Sequence, residues 1–575
     1  MTFFAFVSIR AQGKPSTGEF RSLLERGFAL HEQRNFADAL PLLERAWKLE
    51  PHDYFANLLV GIDLLRTDRA ADSVPYLQEA ARQRPKEDFP YAYLGEAQAH
   101  LRRYPEASAA YERALAVAPA SPQAIEGAVG FWLERFRELA AQLRATTKGL
   151  AAEHRLQARS HALNDPARQQ LLSHSAALDP EAPGIWSELA LADIRTGNVA
   201  DADANIARAF EQNPADQRAL EARALLSAMR GNWIEAVRAL GTIGDASPLV
   251  LARATAGWPK DLQPPTSVVM GRRVAVFFHC TRIPEQACDG AEALSVRSSR
   301  PAPVSTLFKE QRWEAVVAAS EPSAGDLAGW YRRGAAFGEL GSCASGIPSL
   351  ERAAWGRTEQ DIYTKFLLAW CYAQEAGRVT RDLQQQEGES AALIHMLRGD
   401  VLLRTQGNSA GALKEYNDAL GAHPQDPEIL ERLAEAQYES GQFAEATANA
   451  RLSLSIDPYR FSAMETLARV ATEQRNYEDA IPYLEKIVAH DPRDVSAQVE
   501  LGTVLAQTGN PADAVQHLLP ALAAGYPDEK GSLHATLGAA LRKLGRDAEA
   551  TQAFAQARAL SQAYQSSAHR GGDEK

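Results

Sequence analysis

A chain of 575 residues exceeds what one hydrophobic core usually supports, so several domains or a quasi-linear repeat stack is expected. Ala, Leu, Glu, Gln and Arg dominate, so helix is the default reading, and the 45% hydrophobic and 23% charged fractions are ordinary for a soluble globular protein. A formal net charge of -12 argues against a general nucleic-acid binder, which needs a basic footprint. No stretch approaches the roughly 18–20 apolar residues of a membrane helix.

In chain order, Met1 to Ile9 is a short apolar run followed by Arg10-Ala11-Gln12-Gly13-Lys14-Pro15. It resembles the last part of a secretory signal but lacks a basic n-region. Residues 1–19 are therefore read as a tail or the remnant of a signal segment. Export to the periplasm is favoured, with a cytoplasmic location as the alternative.

From residue 20 onward the prolines set a period. Pro51, Pro85 and Pro119 are 34 residues apart (85−51 and 119−85), and Pro180, Pro214 and Pro248 repeat the step, as do Pro424, Pro458 and Pro492. Within one period, Tyr91, Leu94, Gly95, Tyr104, Ala107, Ala114 and Pro119 follow a pattern of large, large, small, aromatic, small, small and proline. Later copies hold Trp186, Leu189, Ala190, Gly197, Ala202, Ala209 and Pro214, then Leu430, Leu433, Ala434, Gly441, Phe443, Ala446 and Pro458, then Met464, Leu467, Ala468, Tyr477, Ala480 and Pro492. The small residue early in the first helix lets a second helix approach, and large residues three and four apart fill the seam. Gly or Asn accepts the backbone of the tight turn, and proline ends the second helix.

This pattern resembles the tetratricopeptide repeat, a helix–turn–helix of 34 residues. The resemblance covers roughly four fifths of the chain. It implies an all-α, right-handed superhelical solenoid of antiparallel helix pairs, in two blocks with an irregular junction. Copies are expected at 20–53, 54–87, 88–121, 183–216 and 217–250, then at 327–360, 393–426, 427–460, 461–494, 495–528 and 531–564. The stretch 149–182 is degenerate, with Leu163 at the turn, and 122–148 and 361–392 are off-length, each expected to add an extra helix or a longer turn. The organisation read from this is an N-terminal block 20–257, a Pro/Gly-containing junction 258–305, a C-terminal block 306–564 and a polar tail 565–575. In the junction, Val268 to Phe278 reads as a possible strand, and Leu307 to Ser320 as a lone helical pair that restarts the stack.

Candidate chemistry is sparse. Cys280 and Cys288 stand in the junction beside His279, without the paired C-x2-C spacing of a zinc site. A Cys280–Cys288 disulfide is the functional reading for an exported chain, and unpaired loop thiols are the alternative. Cys343 and Cys371 fall at packed helical positions and read as small core fillers. His154 and His161 are a heptad apart, on what reads as a solvated face. Phosphate-loop, nucleophile-elbow, zinc-protease and dinucleotide motifs are absent from the sequence, so no catalytic residues, cofactor or metal are expected.

In this family the first helices line a concave groove through positions 2, 5, 9 and 12 of each repeat. Here those positions hold Phe55, Leu58, Ile62 and Leu65, then Phe89, Ala92 and Glu96, an apolar set that marks either a partner site or a covered surface. Glu431, Glu435, Tyr438 and Glu439 give a more acidic lining suited to a basic or polar peptide. The recurring Lys and Asn residues with which some family members clamp a peptide carboxylate are not found. The expected function is a non-catalytic scaffold binding proteins or peptides in its groove. The alternatives are a structural or assembly component of an exported or envelope-associated complex, and an enzyme with its site in 258–305. The partner and the oligomeric state are not legible.

Overall fold

The computed structural model describes residues 18–570 except 34, 145, 163, 255–257, 260, 266, 271–273, 276–277, 279–301, 355–359, 385–390, 493, 524–525, 527 and 529. The chain divides into two compact units, 1–134 with 381–386, and 135–380 with 387–575. Among the described residues there is no β-strand.

The first unit contains the pairs Gly18–Glu32/Phe36–Leu49, Tyr54–Arg66/Ala70–Gln83 and Phe89–His100/Tyr104–Val117. The long helix Pro122–Leu143 follows. One step in each pair explains the small-residue rule. A methyl group placed on Gly61 would lie 2.7 Å from Leu77 Cδ2, and one on Gly95 would lie 2.9 Å from the Tyr111 ring. The second helix rests where a side chain would otherwise be, and inserting one there costs about 1–3 kcal/mol. Leu43 and Leu77, wholly buried in these seams, each contribute about 1.5–3 kcal/mol of transfer free energy.

The second unit continues with Thr147–Ser160/Pro166–Leu178, Ile185–Thr196/Val199–Gln212 and Gln217–Met229/Trp233–Ala246. The short helices Pro248–Ala254, Val304–Lys309 and Trp313–Ala318 come next, the last two where a lone pair is expected. Then follow Leu327–Glu339/Cys343–Ala353, the single long helix Gln360–Gln384, and Ala391–Gln406/Ser409–Ala422. Pro427–Glu439/Phe443–Ile456, Phe461–Glu473/Tyr477–His490, Val495–Gln507/Pro511–Ala523 and Ser532–Lys543/Asp547–Arg570 complete it. At Pro51, Pro214, Pro424 and Pro492 the proline that closes a repeat is followed two residues later by an aspartate that opens the next one. Asp216 accepts from the backbone N–H of Arg218 and Ala219 at 2.9 and 3.0 Å, and Asp494 from that of Ala497 at 3.0 Å. Each satisfies donors that the first turn leaves without a helical partner.

The described part of the junction differs from the strand reading. Val274, Ala275 and Phe278 are helical. Trp258, Val274 and Phe278 are buried with Leu225, Leu240 and Ile243, so these three residues pack against the preceding helix pair.

Candidate functional site

The face lined by first helices is where a ligand would lie, and in the second unit this face has two different conditions. Along 147–230 it is filled by the chain itself. Glu188 is buried and accepts from Arg155 Nε at 2.9 Å and Nη2 at 3.2 Å, from Arg218 Nη1 at 3.1 Å, and from Arg159. Burial alone would raise the Glu188 carboxyl, but the Arg155, Arg159 and Arg218 guanidinia overcome it and hold it well below the usual carboxylate range. Burial pushes the Arg159 guanidinium down to about 10, with Glu188 opposing the shift.

Over this network lie residues from much later in the chain. Arg218 Nη2 donates to Glu339 at 2.7 Å, and the Gln217 side chain donates to the Gln311 carbonyl at 2.6 Å. The Tyr363 hydroxyl donates to Asp179 at 2.7 Å. Phe366 stacks 4.9 Å from the Arg155 guanidinium, and Trp370 stacks 4.5 Å from that of Arg159. Beside them, Glu351 accepts from the Tyr372 hydroxyl at 2.7 Å and from Arg135 Nη2 at 3.0 Å. The helix Gln360–Gln384 thus occupies this face as an amphipathic helix occupies a groove.

Along 427–507 the same face is lined by charged, partly accessible side chains. Arg460 Nε donates to Glu431 at 2.9 Å, Arg404 to Glu435 at 3.3 Å and Arg469 to Glu439 at 2.6 Å. The Arg469 guanidinium lies 4.1 Å from the centre of the Tyr438 ring. Glu465 is exposed and Glu500 half-buried, and neither has an ion-pair partner among the described residues. Burial, followed by the Glu465 charge, raises the Glu500 carboxyl to about 7, with Arg469 opposing and Asp494 adding to the rise. Two neighbouring carboxylates that cannot both ionise freely make this a place where an added positive charge is favoured.

In the first unit, Leu58, Ile62 and Leu65 are 8%, 6% and 3% exposed, and Ala92 is buried as well. The three large residues join Val74, Leu77 and Ala97 in one cluster, with Tyr93 and Leu94 of the next first helix packed against it. Phe55 and Glu96 are half-buried and Phe89 is exposed, so these are the members of the set that stay accessible. Phe55 lies 4.9 Å under the Arg84 guanidinium, and Glu96 accepts from Arg66 Nη2 at 3.2 Å. Cys280 and Cys288 lie outside the described residues.

Sequence reasoning missed the occupied face. Its signal was present in the off-length stretch 361–392, whose Tyr363, Phe366 and Trp370 recur at three and four residues on one helix face. Among the described residues, His395, Glu415 and Asp418 bring possible metal-ligating atoms within 4.8 Å of one another. His395 Nδ1 is already 2.6 Å from Glu415, with Arg398 3.9 Å from the same carboxylate, so the group is internally paired. His154 faces His174 with ring centres 6.1 Å apart, and His161 pairs with Asp165 at 2.9 Å. No described helix is long and apolar enough to cross a membrane.

Stacked antiparallel helix pairs with these seams define a helical-repeat protein. Tetratricopeptide-repeat family models match residues 24–88, 61–125, 187–248 and 465–530, and a second one matches 403–448. Together with the helix pairs, this shows that the chain belongs to the tetratricopeptide-repeat family, a family of non-catalytic scaffolds that bind proteins or peptides. Cellulose synthase operon protein C of Pseudomonas fluorescens (strain SBW25) is 24% identical over 409 residues, covering 66% of this chain and 29% of that protein. The chain therefore spans less than a third of the length of that curated relative. Among solved structures, MamA 41-end from Desulfovibrio magneticus RS-1 is 22% identical, covering 31% of this chain and 98% of that one, with a TM-score of 0.28. The MamA RS-1 ArsTM double mutant is likewise 22% identical, covering 32% and 99%, with a TM-score of 0.28.

Proposed function

We propose that this protein is a scaffold whose working face is the charged groove along 427–507, and that its ligand is an extended peptide bearing Lys or Arg side chains. The observation that supports this is the contrast between the two faces. That along 147–230 already holds the chain's own helix, whereas that along 427–507 presents Glu465 and Glu500, neither ion-paired among the described residues, and the Arg469 that acts on both is itself paired with Glu439. A ligand ammonium or guanidinium between these carboxylates supplies the missing charge, and Tyr438 offers a ring face beside it. Phe55, Phe89 and Glu96 in the first unit form a second, smaller candidate surface.

The test is fluorescence polarisation of the full chain with labelled Lys/Arg-rich, acidic and neutral peptides of equal length. The cationic peptides should bind, and the double variant Glu465→Lys/Glu500→Lys should weaken them by roughly a hundredfold, about 2.7 kcal/mol. Equal binding of acidic peptides, or a double variant that binds cationic peptides unchanged, removes the charged-groove reading.

A second reading, an assembly component of an exported or envelope-associated complex, draws support from the apolar run Met1–Ile9 and from the likeness to a protein named for a cellulose synthase operon. Cell fractionation checks it: periplasmic or envelope recovery is the expected result, and wholly cytoplasmic recovery dismisses it.

A further inference from the structure

The helix Gln360–Gln384, which fills the face along 147–230, is also held from its other side by the pair Leu327–Glu339/Cys343–Ala353. Two contacts fix the register there. The Glu375 carboxylate accepts from the backbone N–H of Ala344 at 3.1 Å. Cys371, one turn earlier on the same side of the helix, packs against Gly338, where a methyl group would sit 3.7 Å from its Sγ and 3.4 Å from Trp370 Cζ3. Cys343 is the first residue of its helix and the residue before Ala344. The register therefore brings the two thiols together. Both are buried and free, and Cys343 is close enough to add to the rise that burial imposes on the Cys371 thiol.

We propose that Cys343 and Cys371 are a disulfide-forming pair, and that their oxidation ties the helix Gln360–Gln384 covalently into the face it occupies. The oxidant required is a low-molecular-weight disulfide such as oxidised glutathione. One protein thiolate attacks it, forming a mixed disulfide and releasing one small thiol. The second protein thiolate then displaces the other, so that two protein thiols and one small disulfide become one protein disulfide and two small thiols. Burial pushes the Cys371 thiol well up, which keeps it protonated and inert in the closed fold. Exchange therefore proceeds during folding or local opening of the helix. Once formed, the bond closes a loop that already has its native geometry, and it disfavours release of Phe366 and Trp370 from Arg155 and Arg159.

The test uses the full chain carrying Cys280→Ser and Cys288→Ser, equilibrated in glutathione redox buffers with urea below the unfolding transition, then alkylated and digested with trypsin. Cleavage after Arg333, Arg352, Lys365 and Arg378 places the two thiols in separate peptides, 334–352 and 366–378. The expected product is these two peptides linked, two hydrogens lighter than their sum, with a urea midpoint for the linked helix above that of the reduced protein. Adding Cys343→Ser should abolish both the linked peptide and the redox-dependent shift. Recovery of both cysteines as alkylated or glutathionylated peptides at every buffer ratio would overturn the proposal. So would a linked product whose formation leaves the midpoint unchanged.

Discussion

The turn between the two helices of a repeat demands a left-handed residue, and the chain meets that demand in two ways. Gly197, Gly231, Gly441 and Gly509 adopt φ of 90°, 78°, 74° and 87° there, while Asp68, Arg102 and Arg475 are forced to 58°, 56° and 60° at the equivalent place. A side chain in that region costs about 1–2 kcal/mol, partly offset by the greater chain entropy a glycine loses. Arg102→Gly should therefore stabilise the pair Phe89–His100/Tyr104–Val117 by about 0.5–1 kcal/mol, raising its thermal midpoint. A lowered midpoint would show that the Arg102 side chain makes a contact worth more than the backbone strain. These turns were legible from residue type and spacing alone, because the requirement is local.

At the level of elements, the helix pairs follow from the period, since small residues, seam leucines and closing prolines each act within one repeat. The filled face does not. Arg155, Arg159, Glu188 and Arg218 come from three successive first helices, and their covering residues Glu339, Phe366 and Trp370 come from more than a hundred residues further on. A periodic reading sees only neighbouring repeats, so the partners that Glu188 and Arg218 meet across the fold are not legible from it. For the same reason the sequence left Leu58, Ile62 and Leu65 as either a partner site or a covered surface, and Tyr93 and Leu94 of the following repeat pack against their cluster. Cys343 and Cys371 were recognised as packed residues, but their meeting depends on how Glu375 sets the register. Removing the carboxylate tests the element-scale claim. Glu188→Ala leaves the buried Arg155 and Arg159 guanidinia without their shared anion, while half-buried Arg218 keeps Glu339, and should cost about 3–5 kcal/mol, read from urea denaturation of the segments 147–230 and 360–380. A loss of about 0–1 kcal/mol, the range of an exposed pair, would contradict the buried network.

For the molecule as a whole, one face closed and one open means that binding at 427–507 does not require the helix Gln360–Gln384 to leave its place. The open face should also be sensitive to pH. The Glu500 carboxyl, raised to about 7 in the folded chain, is protonated below that value and charged above it. A folded-state value above the unfolded one means that this group favours folding at low pH, and that contribution is lost as pH rises through the ordinary carboxylate range to about 7. Ligand binding has the opposite sense, because a cation prefers the ionised form. Affinity for a Lys/Arg-rich peptide should therefore rise as pH increases through about 7, with proton release on binding, and Glu500→Gln should flatten the profile. An affinity that falls over this interval would place the cation elsewhere.

Hydrogen exchange of the full chain, with and without a saturating Lys/Arg-rich peptide, tests the division into a closed and an open face most directly. Slowed exchange in the first helices Pro427–Glu439, Phe461–Glu473 and Val495–Gln507, with Thr147–Ser160, Ile185–Thr196, Gln217–Met229 and Gln360–Gln384 unchanged, is the expected result. Faster exchange in Gln360–Gln384 together with new protection along 147–230 would show instead that the peptide displaces the chain's own helix, and that the working groove is the one read here as closed.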